Sequence, residues 1–190
     1  MTVAALVLGI VGTVLAAGSL CWNIIAFVLQ GAHSKLTAVV GVHSDEGLWV
    51  VPATYANSHS AQRIAEEFTG PLVIGVRVTN SGRAPFHVAG WAIQSNTGDA
   101  KFVPEAGRDG PVSSPGVPHD IPPGGEATFL TELMYASILF DVVAAGQCQA
   151  RRMRISVSSG GRDRFSDPID LQLLQTIAAT RGETGDRRRV

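Results

Sequence analysis

The chain begins with a long apolar segment. From Val3 to Leu29 no residue is charged, and apart from one threonine, one serine and one asparagine the side chains are apolar or glycine. A helix needs about 20 such residues to cross a hydrocarbon core of about 30 Å, and this segment exceeds that length. The sequence therefore predicts one transmembrane anchor helix over residues 1–31, in contact with the lipid bilayer of a cell membrane.

A cleaved secretory signal and a buried core helix are the alternatives to an anchor. A signal peptide starts with basic residues and has an apolar stretch of about 7–15 residues. Here Met1 and Thr2 carry no basic side chain, and the apolar run is about twice that length. The pattern favours a single-pass anchor over both alternatives.

After the anchor, the pattern changes to alternating apolar and polar positions separated by turn residues, which is typical of half-buried strands. We expect strands near 35–43, 48–53, 72–79, 86–93, 101–103, 127–133, 152–158 and 163–167, with short helices at 60–68 and 135–145. Many short strands and few helices predict an immunoglobulin-like antiparallel β-sandwich over residues 32–176, with a barrel as the alternative. The Arg-rich end, residues 177–190, is predicted to be a flexible tail.

The clearest strand signal lies in the middle of the domain. Leu72 to Thr79 alternates strictly, and the turn residues Asn80-Ser81-Gly82-Arg83 follow. Because Asn and Gly tolerate positive φ, the sequence predicts a hairpin into the next apolar segment. In that segment Trp91 is predicted to be the central core aromatic, with a bulge at Gly90.

The order of these segments resembles a family of uncharacterised membrane-anchored proteins common in actinobacteria. The resemblance is carried by an apolar N-terminal helix and by the strand and turn segments VRVTNSGRAPFHVAGWAI, IPPGGEATF and RISVSSGGRDRFSDPI. It covers most of the chain and implies an immunoglobulin-like domain behind a transmembrane helix. It implies no catalytic or binding residue.

Composition and motifs do not point to an enzyme. The formal charge is −1 and the pI about 6.5, so nucleic acid is not an expected partner. The chain has no C-x-x-C, H-E-x-x-H, G-x-S-x-G or P-loop motif, so we predict no catalytic, cofactor-binding or metal-binding residue. Cys21 lies in the anchor, and Cys148 is expected to be a structural thiol.

The leading interpretation is a non-catalytic binding or scaffolding module beside the membrane, for an unknown protein partner. The first alternative is an accessory subunit of a larger membrane complex, packed through its transmembrane helix. The second is an enzyme with an unrecognised site on loops, for which the Gly- and Pro-rich loop at 104–118 is the expected place.

One face of the predicted anchor carries small side chains, a pattern that allows close helix packing. Either a homo-oligomer or a partner helix fits such a face, and a general abundance of Ala and Gly is the alternative explanation. The predicted packing residues are Ala5, Gly9, Gly12, Thr13, Ala16 and Ala17.

Basic residues give two further predictions. Arg151, Arg152 and Arg154 lie on one predicted strand, where they are candidates for contact with anionic lipid; a solvated strand edge is the alternative. Lys35 is the single Lys or Arg close to the anchor. A two-residue N-terminal tail is easily translocated, so the pattern slightly favours a cytoplasmic domain.

Overall fold

The computed structural model describes residues 3–54, 58–95, 100–104, 114–145, 152–170 and 174. Three helices are α1 (Val3–Gln30), α2 (Ser58–Glu67) and α3 (Leu133–Ala145). The strands are β1 (Ser34–Ser44), β2 (Gly47–Pro52), β3 (Leu72–Asn80), β4 (Phe86–Val88), β5 (Gly90–Ser95), β6 (Lys101–Phe102), β7 (His119–Ile121), β8 (Glu126–Glu132), β9 (Arg152–Ser159), β10 (Arg162–Phe165) and β11 (Ile169–Asp170).

The strands form antiparallel sheets. The first sheet has the order β2-β1-β3-β8, and the second has the order β10-β9-β5-β6 with β11 also paired to β9. A two-stranded ribbon, β4 with β7, completes the described part of the domain. The described chain is therefore mainly β, with an apolar N-terminal helix, as the sequence predicts.

Both sheets contribute to one hydrophobic core. Alternate residues of each strand point to one face, and the buried set comes from both sheets. Trp91 is 6% exposed and its ring centroid lies 6.5 Å from that of Phe129, which belongs to the other sheet. The prediction that Trp91 is a core aromatic is confirmed. The core includes Leu36, Ala38, Val40, Ile74, Val76, Val78, Ile93, Ala127, Met153, Ile155 and Val157.

The two helices of the domain pack beside the sheets. Helix α2 contacts β1 and β2 and contributes the buried Ala61 and Ala65 to the core. Helix α3 begins directly after β8 and buries Leu133, Ala136 and Leu139 against the same core. Helices near the predicted positions are therefore confirmed.

The predicted hairpin between β3 and the following segment is wrong. Strand β3 pairs with β1 and β8, whereas β4 pairs with β7. The turn after β3 carries the chain out of the first sheet, and the segment then divides at Ala89 between the ribbon and the second sheet. The glycines between the segments at 152–158 and 163–167 predict a further hairpin, which is confirmed because β9 pairs with β10 through the turn at Gly160 and Gly161. Residues 177–190 lie outside the described part of the chain.

Candidate functional site

Helix α1 stands apart from the β domain. Its segment Val3–Ala26 is long and apolar enough to cross a membrane, and none of that window is buried inside the protein. Large apolar side chains such as Leu8, Leu15 and Trp22 are about 70% exposed. Exposed apolar surface of this extent is stable in hydrocarbon and costly in water.

The predicted small-residue face lies along this exposed helix. Thr13 Oγ1 donates to Gly9 O at 2.8 Å, so its hydroxyl is satisfied within the helix. A Cβ added at Gly9 or Gly12 would meet no atom within 4 Å. The six predicted residues are thus all on the surface of α1, and their role in packing remains a prediction.

The anchor is joined to the domain through a short hydrogen-bonded junction, which we define as residues 31–34 together with residues 80–84. The Ser81 amide donates to His33 O at 2.8 Å, and the Arg83 amide donates to Gly31 O at 3.3 Å. Gly82 packs so closely against residues 31–33 that a Cβ there would overlap backbone atoms. The end of α1 is therefore fixed to the turn after β3, not attached through a free linker.

Asn80 holds the junction turn on the domain. It is 0% exposed, and its Nδ2 donates to Ala84 O at 2.8 Å and to Ile121 O at 3.1 Å. Its Oδ1 accepts from the Gly82 amide at 3.0 Å. The sequence predicts Asn80 to be a turn residue, but its buried amide also connects the junction to the end of β7.

A second contact joins the junction to the other sheet. Arg164 on β10 donates from Nη1 to Ser34 Oγ at 3.0 Å, and its guanidinium lies 5.4 Å from the Phe86 ring centroid. Residues 34 and 164 are 130 positions apart in the chain. Both sheets therefore contact the first residues after the anchor.

Arg152 and Arg154, the two predicted lipid-binding arginines that the structure describes, lie elsewhere on the domain. Val157 pairs with Arg164, so the C-terminal half of β9 is the half near the junction. Arg152 lies five residues further back, about 17 Å along the strand. Arg154 is half-buried and its guanidinium lies 4.5 Å from the Phe165 ring centroid. Arg151 is outside the described residues, and lipid contact at this strand remains a prediction.

The histidines and cysteines of the described residues are scattered over the fold. Among the described residues no group of three or more His, Cys, Asp or Glu side chains could hold a metal ion. His87 Nδ1 lies 2.6 Å from Asp120 Oδ1 across the β4–β7 ribbon, and both side chains are more than half exposed. This pair was missed because its members are 33 residues apart and meet through strand pairing. Cys21 is exposed on α1, and Cys148 lies outside the described residues.

Comparison with known proteins gives no match: no family model, no curated protein and no solved structure resembles the chain significantly. The resemblance to actinobacterial membrane-anchored proteins therefore remains a prediction.

Proposed function

We propose that the chain is a single-pass membrane protein whose β domain is a non-catalytic binding or scaffolding module held next to the bilayer. The observation that supports this best is the unburied apolar segment Val3–Ala26, in a helix whose following residues are hydrogen-bonded to the domain through their backbone. A free linker would let the domain diffuse, whereas a fixed junction presents the same domain surfaces at a constant height above the membrane.

We infer for the domain an immunoglobulin-like arrangement of its two sheets. Support comes from two antiparallel sheets that share one core, with strands adjacent in sequence, such as β8 and β9, in different sheets. A sandwich of this type presents loops and sheet faces for binding without a central cavity. That property fits a binding module better than an enzyme.

The anchor proposal predicts the behaviour of a fluorescent reporter fused after Val190. The fusion is expected at the cell periphery, and an export-dependent phosphatase at the same position is expected to be inactive, because the domain is proposed to be cytoplasmic. Val14→Lys with Leu15→Lys should release the fluorescence into the cell interior, since each central Lys costs about 2.5–3.5 kcal/mol in membrane insertion. Val14→Leu with Leu15→Val is the matched control. If the double-Lys variant still fluoresces at the cell periphery, the anchor proposal is wrong. If the phosphatase fusion is active, the domain lies on the other side of the membrane.

The accessory-subunit alternative is favoured by one observation, the unburied small-residue face of α1. If that face packs against a partner helix, Gly9→Leu with Ala17→Leu should remove most of the partner that co-purifies from native membranes in mild detergent. Gly18→Leu is the matched control, because Gly18 lies about 180° around the helix from Gly9 and also has open space at its Cβ position. If the Gly9→Leu, Ala17→Leu variant retains as much of the partner as the Gly18→Leu control, the partner binds to the β domain.

A further inference from the structure

Charged side chains are unevenly distributed along the domain. The end next to the anchor carries exposed Lys35, Arg83 and Arg164. Arg83 belongs to the junction turn, Arg164 is bonded to Ser34, and Lys35 is the second residue of β1. Acidic residues at this end include Glu126, which is in line with Lys35 across the sheet through Thr79, and Asp120, which pairs with His87. Asp163, next to Arg164 on β10, accepts a hydrogen bond from Ser158 Oγ.

The opposite end of the domain is acidic. Asp45 and Glu46 form the exposed turn between β1 and β2. They follow Ser44, which lies ten residues along β1 from Ser34, a distance of about 33 Å. Glu66 and Glu67 end α2, next to Phe68, whose ring stacks on Trp49 at 4.4 Å. Lys35, Arg83 and Arg164 therefore lie towards the membrane, whereas these carboxylates, with Arg63 on the same helix as two of them, lie away from it.

The length of α1 determines the depth at which the basic end lies. Its 28 residues span about 42 Å, which matches a bilayer of about 40–45 Å including the headgroups. If α1 spans the membrane as proposed above, Gln30 lies in the headgroup layer. The backbone amide of Arg83 is hydrogen-bonded to the carbonyl oxygen of Gly31, which follows Gln30 in the chain. The Arg83 side chain therefore starts at the depth of the lipid phosphates.

We propose that Lys35 and Arg83, with Arg164 beside them, bind the headgroups of anionic phospholipids and hold the domain upright on the membrane. This inference rests on the anchor proposal and differs from the prediction for Arg151, Arg152 and Arg154, which assigns lipid contact to the far part of β9. Lipid binding at the junction stabilises its hydrogen bonds, because headgroup contacts at Lys35 and Arg83 are lost when the turn separates from residues 31–34.

The test is hydrogen exchange of the full chain in nanodiscs, either of phosphatidylcholine alone or with about one third phosphatidylglycerol. The backbone amides of Ser81 and Arg83 report directly on the junction, because they donate its hydrogen bonds to His33 O and Gly31 O. Peptides covering residues 79–86 are expected to exchange more slowly in the anionic discs than in phosphatidylcholine alone. Each contact between a basic side chain and the anionic surface should slow their exchange about fivefold. Lys35→Gln with Arg83→Gln should remove the difference, as should about 0.5 M salt.

The matched control is Arg63→Gln with Arg152→Gln, which removes the same charge from exposed positions away from the junction. It is expected to keep the difference between the two lipid compositions. The proposal is overturned if the unaltered chain exchanges equally fast in both discs. It is also overturned if the control variant abolishes the difference between the two lipid compositions while the junction variant keeps it. Failure of the anchor proposal is recognised separately, because the α1 amides would then exchange rapidly in either disc.

Discussion

Asn80→Asp is expected to lower the free energy of unfolding by about 3–5 kcal/mol although it barely changes the shape of the side chain. The amide of Asn80 donates to Ala84 O and Ile121 O in a site with no solvent exposure. A carboxylate has no hydrogen to donate, so it would face these carbonyl oxygens with its own lone pairs and would bring a buried charge.

The measurement is thermal or denaturant unfolding of the full chain in mild detergent, followed by near-ultraviolet circular dichroism. Ser81→Ala is the control from the same turn. Its exposed hydroxyl donates to His33 O at 3.2 Å, and its loss should cost at most about 1 kcal/mol. An Asn80→Asp variant as stable as the control would show that Asn80 does not hold the junction.

Asn80 also illustrates what local sequence could and could not predict. Asn followed by Ser-Gly is a turn signal, and a turn does follow β3. The signal was interpreted as tolerance of positive φ in a hairpin, yet all described positive-φ residues are glycines. Asn80 is needed because its side-chain amide donates hydrogen bonds to the carbonyl oxygens of Ile121 and Pro122, which lie more than 40 positions away in the chain. Long-range partners leave no periodic pattern near the residue itself.

Most of the strands were predictable because apolar positions alternate in them over a few residues. Strand β7 was missed, since three residues are too few to show the alternation, and β10 is exposed throughout. The pairing of β3 was not predictable, because the alternation in Leu72 to Thr79 fits any neighbour with an apolar face. The two-sheet division was expected from the number of strands, whereas the departure of β4 from β3 and the meeting of His87 with Asp120 depend on the whole fold. The anchor was predictable because its length and apolar character are properties of one continuous segment.

The second large effect is expected at Gly75, in the middle of β3. Gly75 lies opposite Leu130 of β8, and a Cβ at this position would overlap the carbonyl oxygen of Phe129 and lie 2.9 Å from Leu130 Cα. Backbone atoms of two hydrogen-bonded strands cannot move aside as a flexible side chain can. Gly75→Ala is therefore expected to lower the free energy of unfolding by about 3 kcal/mol or more.

Gly90→Ala is the matched control, because Gly90 also lies in a strand and a Cβ there would meet nothing within 4 Å. Ala has the higher strand propensity, so this change should be within about 1 kcal/mol of neutral. Unfolding of both variants in detergent measures the difference. If Gly75→Ala were as stable as Gly90→Ala, β3 and β8 could not approach as closely as described. Since β3 ends at Asn80, a shift of β3 would also displace the residue that fixes the anchor to the domain.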